Sequence, residues 1–109
     1  MQKKLYCLAE FKAKPGKEDY LYKTLQNLEE ETHKEKGCEF YKVMKKVENP
    51  FATGKHFGIV FNEVWATVED FNKHNTQPHI INFFNKECLD KENGSVQEWN
   101  VNVFERIEK

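Results

Sequence analysis

Two histidines, His74 and His79 in the run HNTQPHI, are well suited to move a proton. An unperturbed imidazole titrates near neutral pH, so His74 is a candidate base or hydrogen-bond partner if it faces the interior. The alternative is a polar residue that closes a short helix. His79 follows Pro78 and falls in the first turn of the next helix, where the helix dipole disfavours the protonated ring. That position suits either a neutral hydrogen-bond acceptor or a purely structural residue.

Glu63 is the third candidate, because alternation puts it on one strand face with Phe61 and Trp65. If helices pack on that face, burial disfavours the carboxylate and raises its pKa, and Glu63 can then serve as a base. The alternative is a carboxylate at a strand end, paired with one of the many lysines.

The two histidines do not have the spacing of a metal site. A five-residue offset turns about 140° around an α-helix, whereas paired metal ligands on a helix lie four residues apart. Pro78 between them could change that geometry, but we expect no metal. The three cysteines are widely spaced and form no CxxC pair, so they indicate neither a disulfide framework nor zinc. We expect them to be small buried residues in a reducing compartment.

Size and composition limit the function classes. We expect the 109 residues to form one domain, 1–109, with 39% hydrophobic residues to fill its core. Arg106 is the only arginine and the net charge is −1, so nucleic acid is not an expected partner. No apolar run approaches the roughly 20 residues that cross a bilayer, and the N-terminus turns acidic before a signal-like stretch develops. We therefore expect a cytoplasmic protein without a membrane partner.

Hydrophobic periodicity predicts the element order β-α-β-β-α-β. The predicted strands cover 3–13, 38–48, 55–66 and 96–107. One amphipathic helix is predicted over 17–36, with its apolar side formed by Leu21, Leu25, Leu28 and Thr32.

Local signals predict how the helical segments begin and end. Gly37 is placed to turn left-handed after the first helix, and Thr67 to cap a short helix that reaches about Asn75. Pro78 suits the first turn of a further helix. The apolar stripe predicted for that helix consists of Ile80, Ile81, Phe84 and Cys88.

This element order is that of the ferredoxin-like fold, a four-stranded antiparallel sheet with helices on one face. Apolar side chains also point to the other face, and they include Tyr6, Leu8, Val60 and Val64. Burying each of them is worth very roughly 1.5–3 kcal/mol, and a second copy of the same sheet is the simplest cover. We therefore expect a homodimer formed through the open sheet face.

The sequence resembles the antibiotic biosynthesis monooxygenase (ABM) family of small dimeric α+β barrels. The matching stretches are AEFKAKPGKEDYL (9–21), THKEKGCEFY (32–41), FNEVWATVEDFNKH (61–74) and QPHI (77–80). Together with the strand order they cover nearly the whole chain. The combination is more specific for the fold than for a reaction.

Within the family, the chain is most similar to the YgiN-like branch of quinol monooxygenases. This resemblance implies oxidation of a small aromatic or quinol substrate by O₂, without flavin, haem or metal. Such chemistry needs a base that forms the substrate anion and a pocket that desolvates it, because the electron-rich anion can reduce O₂ directly.

Other branches differ at the positions that carry their chemistry. Haem-degrading members have an Asn, a Trp and a His where this chain aligns Phe11, His74 and Phe84. Anthrone-oxidising members have an Asn, a Trp and a Tyr where this chain has Phe61, Trp65 and Phe71, so only the Trp is shared. A branch that isomerises phosphorylated sugars shares the H...PH pair, but the single arginine argues against a phosphosugar.

The sequence therefore predicts a cofactor-independent monooxygenase in which His74 and Glu63 handle protons. The residues expected to line its substrate pocket are His79, Trp65, Phe11, Phe61 and Phe71. The alternatives are a dimer that binds a small ligand without catalysis and an isomerase of a small carbonyl compound.

Overall fold

The computed structural model describes residues 3–55 and 57–107. The strands are β1 (Leu5–Ala13), β2 (Cys38–Lys45), β3 (Ile59–Trp65) and β4 (Val96–Phe104). The helices are α1 (Glu18–Gln26), α2 (Glu29–His33), α3 (Val68–His74) and α4 (Pro78–Phe83), and α4 continues as a π-helical segment, Phe84–Leu89. The strands form one antiparallel sheet in the order β2-β3-β1-β4. The predicted ferredoxin-like α+β fold is confirmed.

Alternation along the central strands separates the two faces of the sheet as predicted. The helix-covered face of β1 and β3 is buried, and eight of its side chains are at most 8% exposed: Leu5, Cys7, Ala9, Phe11, Ile59, Phe61, Glu63 and Trp65. The strand register pairs Cys7 with Glu63. A carboxyl group is therefore placed inside an otherwise apolar layer.

The single helix predicted over 17–36 is wrong, because the chain forms two helices there. At the break the N–H of Leu28 donates to the carbonyl oxygen of Leu25, three residues back, at 3.0 Å. α2 then ends at His33, and turns occupy residues 34–37. Gly37 has a φ of +82°, so it is left-handed as predicted, but it closes this turn rather than the helix itself. The predicted strands are longer than the observed ones, and residue 56 of one of them lies outside the described residues.

The second helical region begins where its signals predict. The side chain of Thr67 accepts a hydrogen bond from the backbone N–H of Asp70 at 3.0 Å and caps α3. Pro78 is the first residue of α4. The predicted apolar stripe is wrong at Ile81, which is 44% exposed, because adjacent helical residues lie about 100° apart and Ile80 takes the buried side.

The other face of the sheet keeps its apolar side chains partly exposed. Phe40, Met44 and Phe104 are 39%, 41% and 53% exposed, and a groove of about 470 Å³ crosses this face. In the part of the chain that the structure describes, no helix has the length and apolar character needed to span a membrane.

Candidate functional site

His74 is the last residue of α3, and its ring is buried between the helices and the sheet. The ring is 3% exposed, with its centroid 4.6 Å from that of Trp65 and 5.3 Å from that of Tyr41. Burial, reinforced by the neighbouring His79, lowers the pKa of His74 from 6.5 to about 4. The imidazole is therefore neutral at physiological pH.

One carboxyl group, Glu35, joins the two candidate histidines. Nδ1 of His74 lies 3.0 Å from one carboxyl oxygen of Glu35 and 3.2 Å from the other. Nε2 of His79 lies 3.3 Å from Glu35 and 2.9 Å from the hydroxyl of Thr32. Burial raises the pKa of Glu35 from 4.5 to about 7, although a hydrogen bond from Thr32 opposes the shift. The pKa of His79 is lowered by burial, so near neutral pH two uncharged rings flank a carboxyl group close to its titration point.

Glu63 forms a second buried carboxyl site on β3. It is 6% exposed, and the indole N–H of Trp65 donates to it at 2.9 Å. Burial raises the pKa of Glu63 from 4.5 to about 7, while hydrogen bonds from Trp65 and Cys7 oppose that shift and the charge of Glu35 adds to it. Glu63 can therefore hold or release a proton near neutral pH.

A mainly apolar cavity lies between the helices and the sheet. Its walls include His74, Glu63, Tyr41, Phe11, Phe61 and Phe71. The free space inside is about 20 Å³, which is room for one water molecule. A ligand with an aromatic ring therefore needs wall side chains to move, and Phe71 is only half-buried.

A polar cleft of about 460 Å³ lies on the other side of the joined histidines. Its lining includes Glu35, His79, Lys34, Lys36, Lys73 and Asp70. His74 lines the apolar cavity, whereas Glu35 and His79 line the cleft. The three residues therefore connect a mainly apolar cavity with a cleft lined largely by charged side chains.

The model of the antibiotic biosynthesis monooxygenase family matches residues 5–86, which include the cavity walls on β1, β2, β3, α3 and α4. This chain belongs to the ABM family. The predicted resemblance is confirmed at the level of the family, and the match does not single out the YgiN-like branch. Among curated protein sequences, none matches this chain.

Solved structures share the fold of this ABM chain over almost its whole length. A Shewanella oneidensis protein is 24% identical, with a TM-score of 0.79 over 97% of this chain and 93% of that one. A conserved protein from Methanosarcina mazei Go1 is 25% identical, with a TM-score of 0.74 over 94% and 92%. A Nitrosomonas europaea protein described as a candidate antibiotic biosynthesis monooxygenase is 13% identical, with a TM-score of 0.77 over 98% and 93%.

The residues predicted for the ABM site are distributed over three places. Five of them surround the cavity: His74, Glu63, Phe11, Phe61 and Phe71. Trp65 does not line it, because its side chain is fully buried beside the His74 ring and is hydrogen-bonded to Glu63. His79 faces the polar cleft, because the first turn of α4 directs its ring to α2 and Thr32.

Three residues of the site were not singled out from the sequence: Glu35, Thr32 and Tyr41. Tyr41 is 2% exposed and stacks on Phe61 with ring centroids 4.1 Å apart, and burial raises its pKa well above 10. Tyr41 could have been found from the sequence, because it lies two residues from Val43 on β2 and strand alternation places both on the buried face. Glu35 was overlooked, although seven residues separate it from Leu28 and the predicted helical period therefore places it on the buried side of that helix.

The described ranges, 3–55 and 57–107, contain no group of three or more His, Cys, Asp or Glu side chains arranged to hold a metal ion. The rings of His74 and His79 are 6.4 Å apart, and both have nitrogens turned to Glu35. His74 is hydrogen-bonded to this carboxyl group, whereas His79 contacts it at 3.3 Å and is hydrogen-bonded to Thr32.

Proposed function

We propose that this ABM protein oxidises a small aromatic or quinol substrate with O₂ and that His74 accepts the hydroxyl proton of the substrate. One observation carries the proposal: a neutral imidazole lies at the wall of an apolar cavity with only one nitrogen engaged. Nδ1 of His74 is held by Glu35, and Nε2 has no hydrogen-bond partner among the described residues.

The contact with Glu35 selects the form of His74 that can act as a base. When Glu35 is ionised, its carboxylate accepts a hydrogen bond, so it favours the tautomer of His74 with the proton on Nδ1 and leaves the lone pair on Nε2. A ring whose pKa is about 4 is a weak base by itself. The adjoining carboxyl group, with a pKa of about 7, stabilises the proton that the ring accepts, and a value near the working pH is the most effective for general base catalysis.

The cavity suits the oxidation step because it is apolar. A phenolate or quinolate in such surroundings loses its hydration and becomes a better electron donor. For a hydroquinone, transfer of one electron to O₂ followed by recombination gives a ring hydroperoxide, and loss of one water leaves a hydroxyquinone. The substrate supplies both electrons that reduce the second oxygen atom to water.

Glu63 is suited to the loss of water in this scheme. It lines the same cavity and its pKa is about 7, so a large fraction is protonated at neutral pH. We infer that Glu63 donates the proton with which the peroxide oxygen leaves. The indole of Trp65 holds the carboxyl group in place.

We also propose that the protein is a homodimer in which the open sheet faces of two copies meet. In support, the outer positions of the central strands carry Tyr6, Leu8, Val60 and Val64, which are half-buried in the single chain. Pairing two such faces would remove this apolar surface from water.

The test of the reaction is O₂ uptake by metal-free protein with a panel of hydroquinones and anthrones. We expect turnover of at least one of them, and His74→Ala should lower kcat/KM by about 10²–10⁴-fold, the range of general base catalysis. His33→Gln is the control, because His33 is exposed on α2 and a glutamine amide can keep its hydrogen bond to the carbonyl oxygen of Tyr41. Uptake at the buffer rate for every substrate, or an unimpaired His74→Ala enzyme, would contradict the proposal.

A binding role without turnover is distinguished by fluorescence. Trp65 lies against His74, so in a Trp99→Phe background its emission reports occupation of the cavity. Quenching by an aromatic ligand without O₂ uptake would favour a ligand-binding dimer over an oxygenase.

A further inference from the structure

The proposed base is enclosed, so a proton that reaches His74 needs a route to solvent. His74 is 3% exposed and lines a cavity with room for a single water molecule. Glu35 and His79, which adjoin it, line the polar cleft of about 460 Å³. The side chain of His79 is 22% exposed and that of Glu35 is 12% exposed. Exposure to solvent therefore rises from His74 through Glu35 to His79.

We propose that Glu35 carries protons between His74 at the cavity and His79 at the cleft, so that the three side chains form one path through the wall of the site. The inference rests on the proposed function, because it supplies the route for the proton that the substrate gives to His74. It adds to that function a residue, Glu35, that relays protons.

The path consists of one hydrogen bond, from His74 to Glu35, and one ion-pair contact, from Glu35 to His79. Nδ1 of His74 lies 3.0 Å and 3.2 Å from the two oxygens of Glu35, and Nε2 of His79 lies 3.3 Å from the nearer one. The hydroxyl of Thr32 is hydrogen-bonded to the same nitrogen of His79 at 2.9 Å, and its interaction with Glu35 lowers the pKa of that carboxyl group. A hydroxyl group both donates and accepts, so Thr32 offers a parallel link between the carboxyl group and the outer ring.

Each transfer breaks one bond to hydrogen and forms another. The substrate O–H gives its proton to Nε2 of His74, and the Nδ1–H of the same ring passes its proton to the Glu35 carboxylate. The new O–H of Glu35 then protonates Nε2 of His79, which releases its Nδ1 proton to water in the cleft. The net result is a substrate anion in the cavity and one proton in solvent. His74 is left with its proton on Nε2.

Charged and titratable groups from several elements face this path. On α2, the charge of Glu31 partly opposes the burial that lowers the pKa of His79. On β3, Glu63 and Glu35 repel each other when both are charged, which raises the pKa of Glu63. The other facing groups are Cys38 and Tyr41 on β2, and Asp70, Lys34, Lys36 and Lys73 around the cleft. Substitution of Glu35 alone leaves all of them in place, so it isolates the relay.

The first experiment needs no substrate. In ¹⁵N-labelled protein, NMR of the imidazole nitrogens should show His74 with its proton on Nδ1, and that proton should exchange with water through Glu35. Glu35→Gln keeps an acceptor oxygen but cannot take up a proton, so exchange of the His74 ring proton should slow by about 10²-fold, the low end of what a positioned proton carrier contributes. Glu30→Gln, an exposed carboxylate on α2, should leave the rate unchanged.

Two results of this experiment would overturn the relay. One is a His74 ring with its proton on Nε2 in the unsubstituted protein. The other is an unchanged exchange rate in Glu35→Gln, with circular dichroism and thermal melting verifying that the variant is folded.

The second experiment uses a substrate that the protein consumes. Glu35→Gln should lower kcat by about 10²-fold with KM little changed. In Glu35→Ala, formate admitted through the cleft should restore part of the rate, and it should not restore His74→Ala. Failure of formate rescue, with kcat unaffected in Glu35→Gln, would contradict the relay. If no substrate is consumed, the proposed function fails while the exchange experiment still decides whether Glu35 carries protons.

Discussion

Glu63 illustrates how burial changes the chemistry of one side chain. Its neighbours on the strand face are Phe61 and Trp65, and its cross-strand partner is Cys7. The charged form therefore loses water and gains only two weak hydrogen-bond donors, the indole and the thiol. The protonated form is favoured up to a pH of about 7, and this links the stability of the fold to pH.

The sign of that linkage follows from the two pKa values of Glu63. Between the ordinary value of 4.5 and the folded value of about 7, the folded state binds a proton that the unfolded state lacks. The free energy of unfolding therefore falls as pH rises through this window. Glu35, whose pKa is also raised, makes the free energy of unfolding fall over the same pH window. His74 has the opposite effect: its pKa falls to about 4, so its contribution to the free energy of unfolding is complete above pH 6.5 and is lost as the pH falls towards 4.

We predict that Glu63→Gln removes the Glu63 part of this pH dependence. The amide resembles the protonated carboxyl group, so relative to the unsubstituted protein the variant should gain about 2–3 kcal/mol of unfolding free energy between pH 5 and pH 8.5, given about 1.4 kcal/mol per pKa unit. Urea unfolding at the two pH values measures this difference. An equal offset at both pH values would show that Glu63 is ionised throughout the range.

How far single residues could be predicted depended on whether a regular element carries them. Glu63 and Phe61 follow from alternation, because a strand keeps its period of two from end to end. Glu35 lies in a turn, where the period of α2 no longer applies. Its role becomes visible only when the fold brings it against His74, which is 39 residues away in sequence.

At the scale of elements, the turn over residues 34–37 decides where Glu35 lies. The turn closes at Gly37, whose backbone has a φ of +82°. Its carbonyl oxygen accepts a hydrogen bond from the N–H of Ala66 at 2.8 Å, which ties the turn to the end of β3. A Cβ at position 37 would overlap the carboxyl group of Asp70 on α3 and lie 2.6 Å from its Cβ. α2, β3 and α3 therefore meet at a position where any side chain larger than that of glycine displaces Asp70.

We predict that Gly37→Ala destabilises the protein more than the backbone alone requires. A left-handed alanine costs about 1–2 kcal/mol, and displacing Asp70 adds a clash of about 1–3 kcal/mol. Gly16→Ala is the matched control, because Gly16 has a φ of +81° but open space around it. Denaturant unfolding should show a loss for Gly37→Ala that exceeds the loss for Gly16→Ala, and equal losses would contradict the crowding argument.

The break between α1 and α2 shows why element boundaries were harder to predict than element order. Leu21, Leu25 and Thr32 are all fully buried, so the apolar pattern continues across the break as it would along one helix. The apolar pattern shows only which side of the chain is buried. The break is a backbone turn at Asn27 and Leu28, which does not change that side and therefore leaves the pattern intact. The caps at Thr67 and Pro78 were predictable because local side-chain chemistry, rather than packing, determines them.

At the scale of the whole molecule, the helices cover one face of the sheet and leave many apolar side chains partly exposed on the other. Partly exposed side chains lie on all four strands of that face: Phe40, Met44, Val60, Val64, Tyr6, Leu8 and Phe104. Asn62 and Asn102 lie among these side chains, and a surface of clustered apolar groups with interspersed polar ones is typical of an interface between proteins. A second copy of the same sheet is complementary to it by symmetry, which is the basis of the proposed homodimer.

Leu8 is the residue at which the dimer is tested most directly. It lies on β1 with its side chain on the open face, between Asn62 on β3 and Asn102 on β4. We predict that the unsubstituted protein sediments as a dimer at micromolar concentration. Leu8→Lys should shift it to the monomer with a dissociation constant raised by more than about 100-fold. The reason is that two-fold symmetry buries the unpaired ammonium group twice, at a cost of several kcal/mol each.

The control for this prediction is Val47→Lys, which adds the same charge at a position that is 75% exposed and follows the end of β2. It should leave the sedimentation coefficient unchanged, because a solvated ammonium group has no burial cost. Far-ultraviolet circular dichroism of Leu8→Lys should match that of the unsubstituted protein, since Leu8 contributes to the open face and not to the helix-packed core. A monomer in the unsubstituted protein, or a dimer undiminished by Leu8→Lys, would mean that something other than a second sheet covers this face.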